Sequence, residues 1–198
     1  MESTLANDLN WPAKCNHTPY MLGVRSNSKT KASRGFSLIE LLMVVAIILI
    51  IAAIAIPNLI RAKIAANESS AANSVRKIAT AEITYNSAFP AVGYAVALAN
   101  LGGPAVACNP SSATACIIDS VLSSGQKSGY QFVAVGSSVS GSGINDQFVT
   151  GSAPLQFNIS GIRNFCIVMD GVLRVDPGTA TPPPANSVAQ CAAYPQTQ

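Results

Sequence analysis

The sequence predicts an α+β fold in which one long N-terminal helix packs on an antiparallel sheet of about four strands. Three observations predict this fold. An apolar run from Phe36 to Ile60 contains a single ionisable residue, Glu40. Apolar residues then recur at helical spacing as far as Phe89. From residue 129 onward, short β-like runs alternate with turn residues, as in an antiparallel sheet.

The charge distribution divides the chain at residue 35. The formal net charge of +3 comes entirely from residues 1–35, since residues 36–198 hold seven basic and seven acidic side chains. A neutral remainder gives no reason to expect specific nucleic-acid binding. The single histidine, His17, lies in the basic segment, so no Ser-His or Cys-His catalytic pair is expected beyond it. We therefore expect neither enzymatic activity nor a cofactor.

The apolar run is long enough to cross a bilayer. Its 25 residues span about 37 Å as a helix, against a hydrocarbon core of about 30 Å. Four basic residues lie within 15 positions upstream and two in the comparable window downstream, namely Arg25, Lys29, Lys31 and Arg34 before it and Arg61 and Lys63 after it. This asymmetry predicts a cytoplasmic amino end and an exported carboxyl part.

The border of the apolar run carries a recognisable motif. Residues 34–42 read RGFSLIELL, and VVAII at 44–48 and AAIAIPN at 52–58 follow. Together they resemble the amino terminus of type IV pilins and type II secretion pseudopilins, as in a type IVa-like prepilin. A secretory signal peptide would have a shorter apolar core, and an ordinary membrane anchor would leave Glu40 without a role. The resemblance implies the pilin fold.

The resemblance also implies a processing site. A prepilin peptidase would remove residues 1–35 as a cytoplasmic leader, cut between Gly35 and Phe36, and methylate the new amino group of Phe36. Glycine suits the cleavage position because no side chain obstructs the approach of the enzyme to the backbone. Translation from Met21 rather than Met1 would leave a leader of 15 residues.

Glu40 is the candidate assembly residue. The α-amino group of Phe36 would be largely cationic near neutrality, and residues 36 and 40 are one helical turn apart. The pair could close within one subunit or between neighbours, and the family favours the neighbour. A subunit added out of step would then leave a carboxylate unpaired among apolar groups. Pro57 is expected to kink the helix.

The sequence divides into four segments. After the leader, residues 36–60 form the transmembrane and polymerisation helix, residues 61–89 its amphipathic continuation, and residues 90–198 a globular head. One helical face is predicted to pack on the sheet, through Ile60, Ile64, Ala71, Val75, Ile78, Tyr85 and Phe89, although Glu82 falls in the same register. The head begins with a long irregular αβ-loop, residues 90–128.

Within the head, strands are predicted at residues 129–135, 147–149, 163–169 and 172–175, with Asp170-Gly171 as a two-residue hairpin turn. Four cysteines lie in the head and allow three pairings. We favour Cys108 with Cys116 and Cys166 with Cys191, which close separate loops and fit an oxidising periplasm. A zinc site is the alternative, without a CxxC pair to support it.

Function follows from the resemblance rather than from composition. It implies a structural subunit of a type IV pilus, held in the inner membrane as a precursor with its head in the periplasm and then built into an extracellular filament. The alternative is a pseudopilin of a type II secretion system, whose piston filament stays in the periplasm. Expected partners are other copies of the chain and other pilins, the prepilin peptidase and methyltransferase, the inner-membrane assembly platform and membrane lipid.

Overall fold

The computed structural model describes residues 35–104, 106–178 and 184–195. Apart from Gly35, the predicted leader and both proposed start positions lie outside these residues. The chain divides into two units, Met1–Leu42 and Met43–Gln198. Of the first unit, the described residues are three without regular secondary structure, 35–37, followed by the first residues of a helix.

The first helix, α1, runs from Leu38 to Ala88, a length of 51 residues, close to the predicted bounds. The carbonyl of Ser37 opens it by accepting hydrogen bonds from the N–H groups of Glu40 and Leu41. Pro57 lies inside α1, and the helical residues continue on both sides of it without interruption. The predicted kink at Pro57 stays a prediction.

Helix α1 carries two different surfaces within the second unit. Residues 43–60 are exposed, apart from the half-buried Ala52. Further along, Ala71, Val75 and Ile78 are completely buried, and Tyr85 nearly so, because the sheet covers their face of the helix. The predicted stripe is confirmed over this part of the helix. It was wrong for Ile60, which is exposed because the sheet does not reach it.

The connection after α1 is largely irregular, as predicted. It contains two single-turn helices, α2 at Leu98–Leu101 and α3 at Ser120–Ser123. The carboxylate of Asp119 caps α3 by accepting the N–H of Leu122 at 2.9 Å. The same carboxylate accepts a hydrogen bond from Lys77 of α1, also at 2.9 Å, which ties the connection to the helix.

The sheet has five antiparallel strands in sequence order. They are β1 at Gln126–Lys127, β2 at Tyr130–Ser137, β3 at Gln147–Pro154, β4 at Asn164–Val168 and β5 at Arg174–Asp176. The α+β class and the four longer strands are confirmed. The prediction missed β1, which consists of two polar residues, and ended β3 five residues early, where Thr150, Gly151 and Ser152 interrupt the apolar pattern.

The predicted two-residue turn at Asp170-Gly171 was wrong. The β4–β5 pairing ends at Cys166 opposite Arg174, which leaves a wider connection over residues 167–173. Gly171 does adopt a positive φ of 73°. The backbone turn lies one residue earlier, where the N–H of Gly171 donates to the carbonyl of Val168 at 2.9 Å. The Asp170 carboxylate adds hydrogen bonds from the N–H of Val172 at 3.0 Å and from the guanidinium of Arg174.

The two faces of the sheet pack against different layers, as alternating side chains require. Phe148 lies in the core shared with α1, whereas its neighbour Val149 faces away from it. The outer face is covered by residues 184–195, which include helix α4 at Val188–Ala192. A side chain at Gly151 would collide with the main chain of Ala185, so the close approach of this segment requires glycine there.

Candidate functional site

The segment predicted to be processed is accessible. Gly35 and Phe36 are both exposed, and the Phe36 side chain retains 85% of its accessible surface. An added Cβ at Gly35 would meet no described atom within 4 Å, and Gly35 does not have a positive φ. The described part of the chain therefore supplies no steric reason of its own for glycine at this position.

Glu40 lies in the first turn of α1 and is exposed. A carboxylate at this position interacts favourably with the positive end of the helix dipole. The three ion pairs within the described ranges are Lys77–Asp119, Arg163–Glu68 and Arg174–Asp170, and Glu40 belongs to none of them.

The exposed part of α1 is chemically uniform. Its large side chains between residues 43 and 60 retain about half or more of their surface, and they are Val, Ile, Leu and Met. By length and composition alone, α1 is able to cross a membrane. None of the residues in its most apolar stretch of 18 residues is buried within the described protein. A surface of this kind requires a lipid or protein partner.

Residues 30–56 match the family described as "Prokaryotic N-terminal methylation motif". The match covers the Gly35–Phe36 junction, Glu40 and most of the exposed apolar segment. The chain carries the N-terminal signature of type IV pilins and pseudopilins. Neither the curated proteins nor the solved structures include a match to the chain.

The architecture agrees with that signature. A long N-terminal apolar helix packed against an antiparallel sheet is consistent with the pilin fold. The head of this pilin-like chain carries disulfides between Cys108 and Cys116 and between Cys166 and Cys191. The second disulfide joins β4 to α4 and so fastens residues 184–195 over the outer face of the sheet.

Glu68 fastens the β3–β4 connection to α1. Its Oε1 accepts the N–H groups of Ile162 and Arg163 at 3.0 and 3.1 Å, and its Oε2 accepts Arg163 Nε at 2.8 Å. Burial alone would raise the pKa of Glu68, but the hydrogen bonds from Arg163 and from the two backbone N–H groups lower it overall. The carboxylate form is therefore favoured in the folded chain.

Glu82 fastens the start of the αβ-loop to the same helix. It is fully buried, and its Oε2 accepts the N–H of Ala95 at 2.8 Å. Its Oε1 has no hydrogen-bond partner within the described part of the chain. Burial raises the pKa of Glu82 to about 7, although the Ala95 N–H acts in the opposite direction.

The two carboxylates differ in how clearly the sequence indicates their contacts. Glu82 was visible as a charged residue in the apolar register of α1, which is the signal of a buried, hydrogen-bonded acid. Glu68 lies beside the predicted apolar stripe, and its two backbone partners are 94 and 95 residues away. Nothing local in the sequence indicates such a distant contact.

Proposed function

We propose that this chain is a pilin, a structural subunit of a type IV pilus that polymerises through the apolar part of α1. The observation that carries the proposal is the division of α1 into two surfaces. Residues 43–60 are exposed and apolar, whereas Ala71, Val75 and Ile78 are sealed against the sheet. The head thus folds on one half of the helix and leaves the other half for lipid first and for neighbouring subunits afterwards.

Processing would create the end that assembles. The proposed peptidase cuts between Gly35 and Phe36 and methylates Phe36, removing residues 1–35 and their excess of positive charge. The accessible junction supports this step, as does the open space around Gly35. A glycine that its own chain does not need is consistent with a requirement of the enzyme.

Glu40 would then guide assembly. Cleavage gives Phe36 a cationic amino group, and no described cation of the same chain pairs with Glu40. In a filament, the free carboxylate of one subunit is available to the amino end of the next. Transfer into an apolar filament core makes the unpaired state costly, so the pair selects subunits that are added in register.

The proposed location follows from the same features. The precursor is held in the inner membrane by residues 36–60, with the head in the periplasm, where the two disulfides are able to form. Its partners there are the peptidase and methyltransferase, the assembly platform, and other pilins. The finished filament is extracellular.

Replacement of Glu40 by Ala tests the proposal in a host that contains the pilus machinery. We expect normal membrane insertion and leader removal but loss of filaments sheared from the cell surface. Asp146→Ala is the matched control, because it removes one exposed carboxylate from the head instead. Mass spectrometry of the processed chain should find N-methyl-phenylalanine at residue 36.

The outcomes separate the two filament types. An unprocessed amino terminus, or normal surface filaments from the Glu40→Ala chain, would contradict the proposal. Filaments confined to the periplasm in the unaltered strain would indicate a pseudopilin instead.

A further inference from the structure

A pocket of about 500 Å³ opens beside α1 just beyond the apolar segment. Lys63 and Asn67 of α1 form one wall, and Ser128 together with Leu155 and Gln156 forms another. Lys63 lies three residues past Ile60, which is about 4.5 Å along a helix. The headgroup layer of a bilayer extends about 5–7 Å beyond the hydrocarbon core. With Ile60 at the outer edge of the hydrocarbon core, the pocket thus opens at headgroup level.

The charge around the pocket is positive and uncompensated. The side chain of Lys63 takes part in none of the ion pairs or hydrogen bonds found among the described residues, and the same holds for Arg61. Arg61 lines a second pocket whose only carboxylate, Glu68, is already paired with Arg163 at 2.7 Å. Lys63 therefore lines the first pocket without a counter-ion from the described residues.

The pocket also offers a hydroxyl donor. Ser128 accepts a hydrogen bond from Ser70 at 3.1 Å, so the hydrogen of Ser128 is left to donate into the pocket. By contrast, the amide of Asn67 is already used, since it donates to the carbonyl of Ser160 at 2.9 Å. An ammonium group and a hydroxyl group around one space are complementary to a phosphate.

The rim of the pocket is apolar. Leu155 and Ile159 of the β3–β4 connection line it and retain 41% and 61% of their surface. Ile162 of the same connection lines the second pocket and is 37% exposed. Single exposed apolar residues are ordinary. Two of them on the rim of a pocket that also holds Lys63 match the boundary between headgroups and acyl chains.

We propose that this pocket binds the headgroup phosphate of an anionic phospholipid while the subunit is in the membrane. Lys63 and Ser128 contact the phosphate, and Leu155 and Ile159 lie against the start of the acyl chains. This inference rests on the proposed function, because only a membrane-held precursor brings the pocket to the lipid surface. Bound lipid then holds the base of the head at a fixed depth before the subunit leaves the bilayer.

The test places the full-length chain, one copy per disc, in lipid nanodiscs. The discs contain phosphatidylcholine alone or with 30% phosphatidylglycerol, and mass spectrometry follows amide hydrogen exchange across residues 155–163. We expect phosphatidylglycerol to slow exchange about fivefold, the effect of one basic residue near an anionic surface. Lys63→Gln should abolish the slowing. Arg76→Gln, the matched control about 20 Å further along α1, should retain it.

The remaining conditions distinguish lipid phosphate from free phosphate, and lipid binding from contact between subunits. Inorganic phosphate added to phosphatidylcholine discs should give no slowing, and slowing there would overturn the lipid assignment. Equal exchange in both lipid mixtures, or slowing that survives Lys63→Gln, would also overturn it. Slowing that appears only with two copies per disc would assign the surface to subunit contact and refute the proposal. A chain that fails to enter discs at all would refute the membrane-held precursor itself, which separates the two failures.

Discussion

Glu82 makes the stability of the head depend on pH in a direction opposite to that of most buried ion pairs. It is fully buried in α1 and holds the N–H of Ala95. Burial disfavours its charged form and raises its pKa from the ordinary 4.5 to about 7, and the same buried charge helps raise the pKa of nearby Tyr85. Replacing Glu82 by Gln keeps an oxygen acceptor for Ala95 and removes the titration.

The sign and magnitude follow from proton linkage. The folded chain binds the Glu82 proton more tightly than the unfolded chain, so the stabilisation is complete below about pH 4.5. It is then lost as pH rises to about 7 and stays lost above that value. The gap between the two pKa values corresponds to about 3 kcal/mol. Carboxylates whose pKa is lowered, such as Asp119 at about 2, lose stability only below pH 4 and do not interfere.

The measurement is urea unfolding of the leader-free chain in detergent with its disulfides intact, followed by near-ultraviolet circular dichroism of the tyrosines. Between pH 5 and pH 8 the free energy of unfolding of the wild type should fall by about 2.5 kcal/mol. That of Glu82→Gln should stay constant. Glu40→Gln, which removes a carboxylate outside the head, should retain the wild-type slope. Equal slopes for wild type and Glu82→Gln would refute the reasoning.

Three further changes test other parts of the molecule. Glu68→Gln should lower the free energy of unfolding by about 1–3 kcal/mol, because it weakens a buried acceptor of three hydrogen bonds, and exchange of the Ile162 amide should accelerate. Replacing Cys166 and Cys191 by Ser should cost about 3.5 kcal/mol and replacing Cys108 and Cys116 about 2.5 kcal/mol, since the closed loops span 25 and 8 residues. Gly35→Val should leave the precursor uncut, which is visible as a larger band on an immunoblot. The control precursor, Gly171→Val, should be cut.

The parts of the fold that sequence could predict are those with a strong local period. The apolar run to Ile60 and the recurrence from Ala71 to Tyr85 are properties of neighbouring residues on one helix, so they survive folding unchanged. The β2 and β4 segments are similar, since both are β-forming runs. The run with Tyr130 buries alternate side chains, and the run with Phe165 is buried throughout. The processing motif is more local still, because it needs only consecutive residues.

The parts that sequence missed depend on strand pairings that residue type does not express. Strand β1 is two polar residues, Gln126 and Lys127, and exists because β2 offers an edge to pair with. The β4–β5 ladder pairs Cys166 with Arg174, and Arg174 bonds back to Asp170, so the connection is longer than the expected Asp170-Gly171 turn. In both cases the partners are only a few residues apart, and the pairing overrode the preference that residue type expresses.

The two buried glutamates explain how one helix is able to serve two environments. Connecting segments leave backbone N–H groups that no helix or strand partner satisfies, and these groups need acceptors. Ile162 and Arg163 of the β3–β4 connection and Ala95 of the αβ-loop are such donors, and α1 supplies Glu68 and Glu82 to them. An apolar helix face alone would slide along the sheet with little resistance, because apolar contact is non-directional. Two directional anchors, 14 residues apart on the helix, fix where the head sits on α1. They also fix how much of the apolar helix, residues 43–60, is left uncovered for lipid and for assembly.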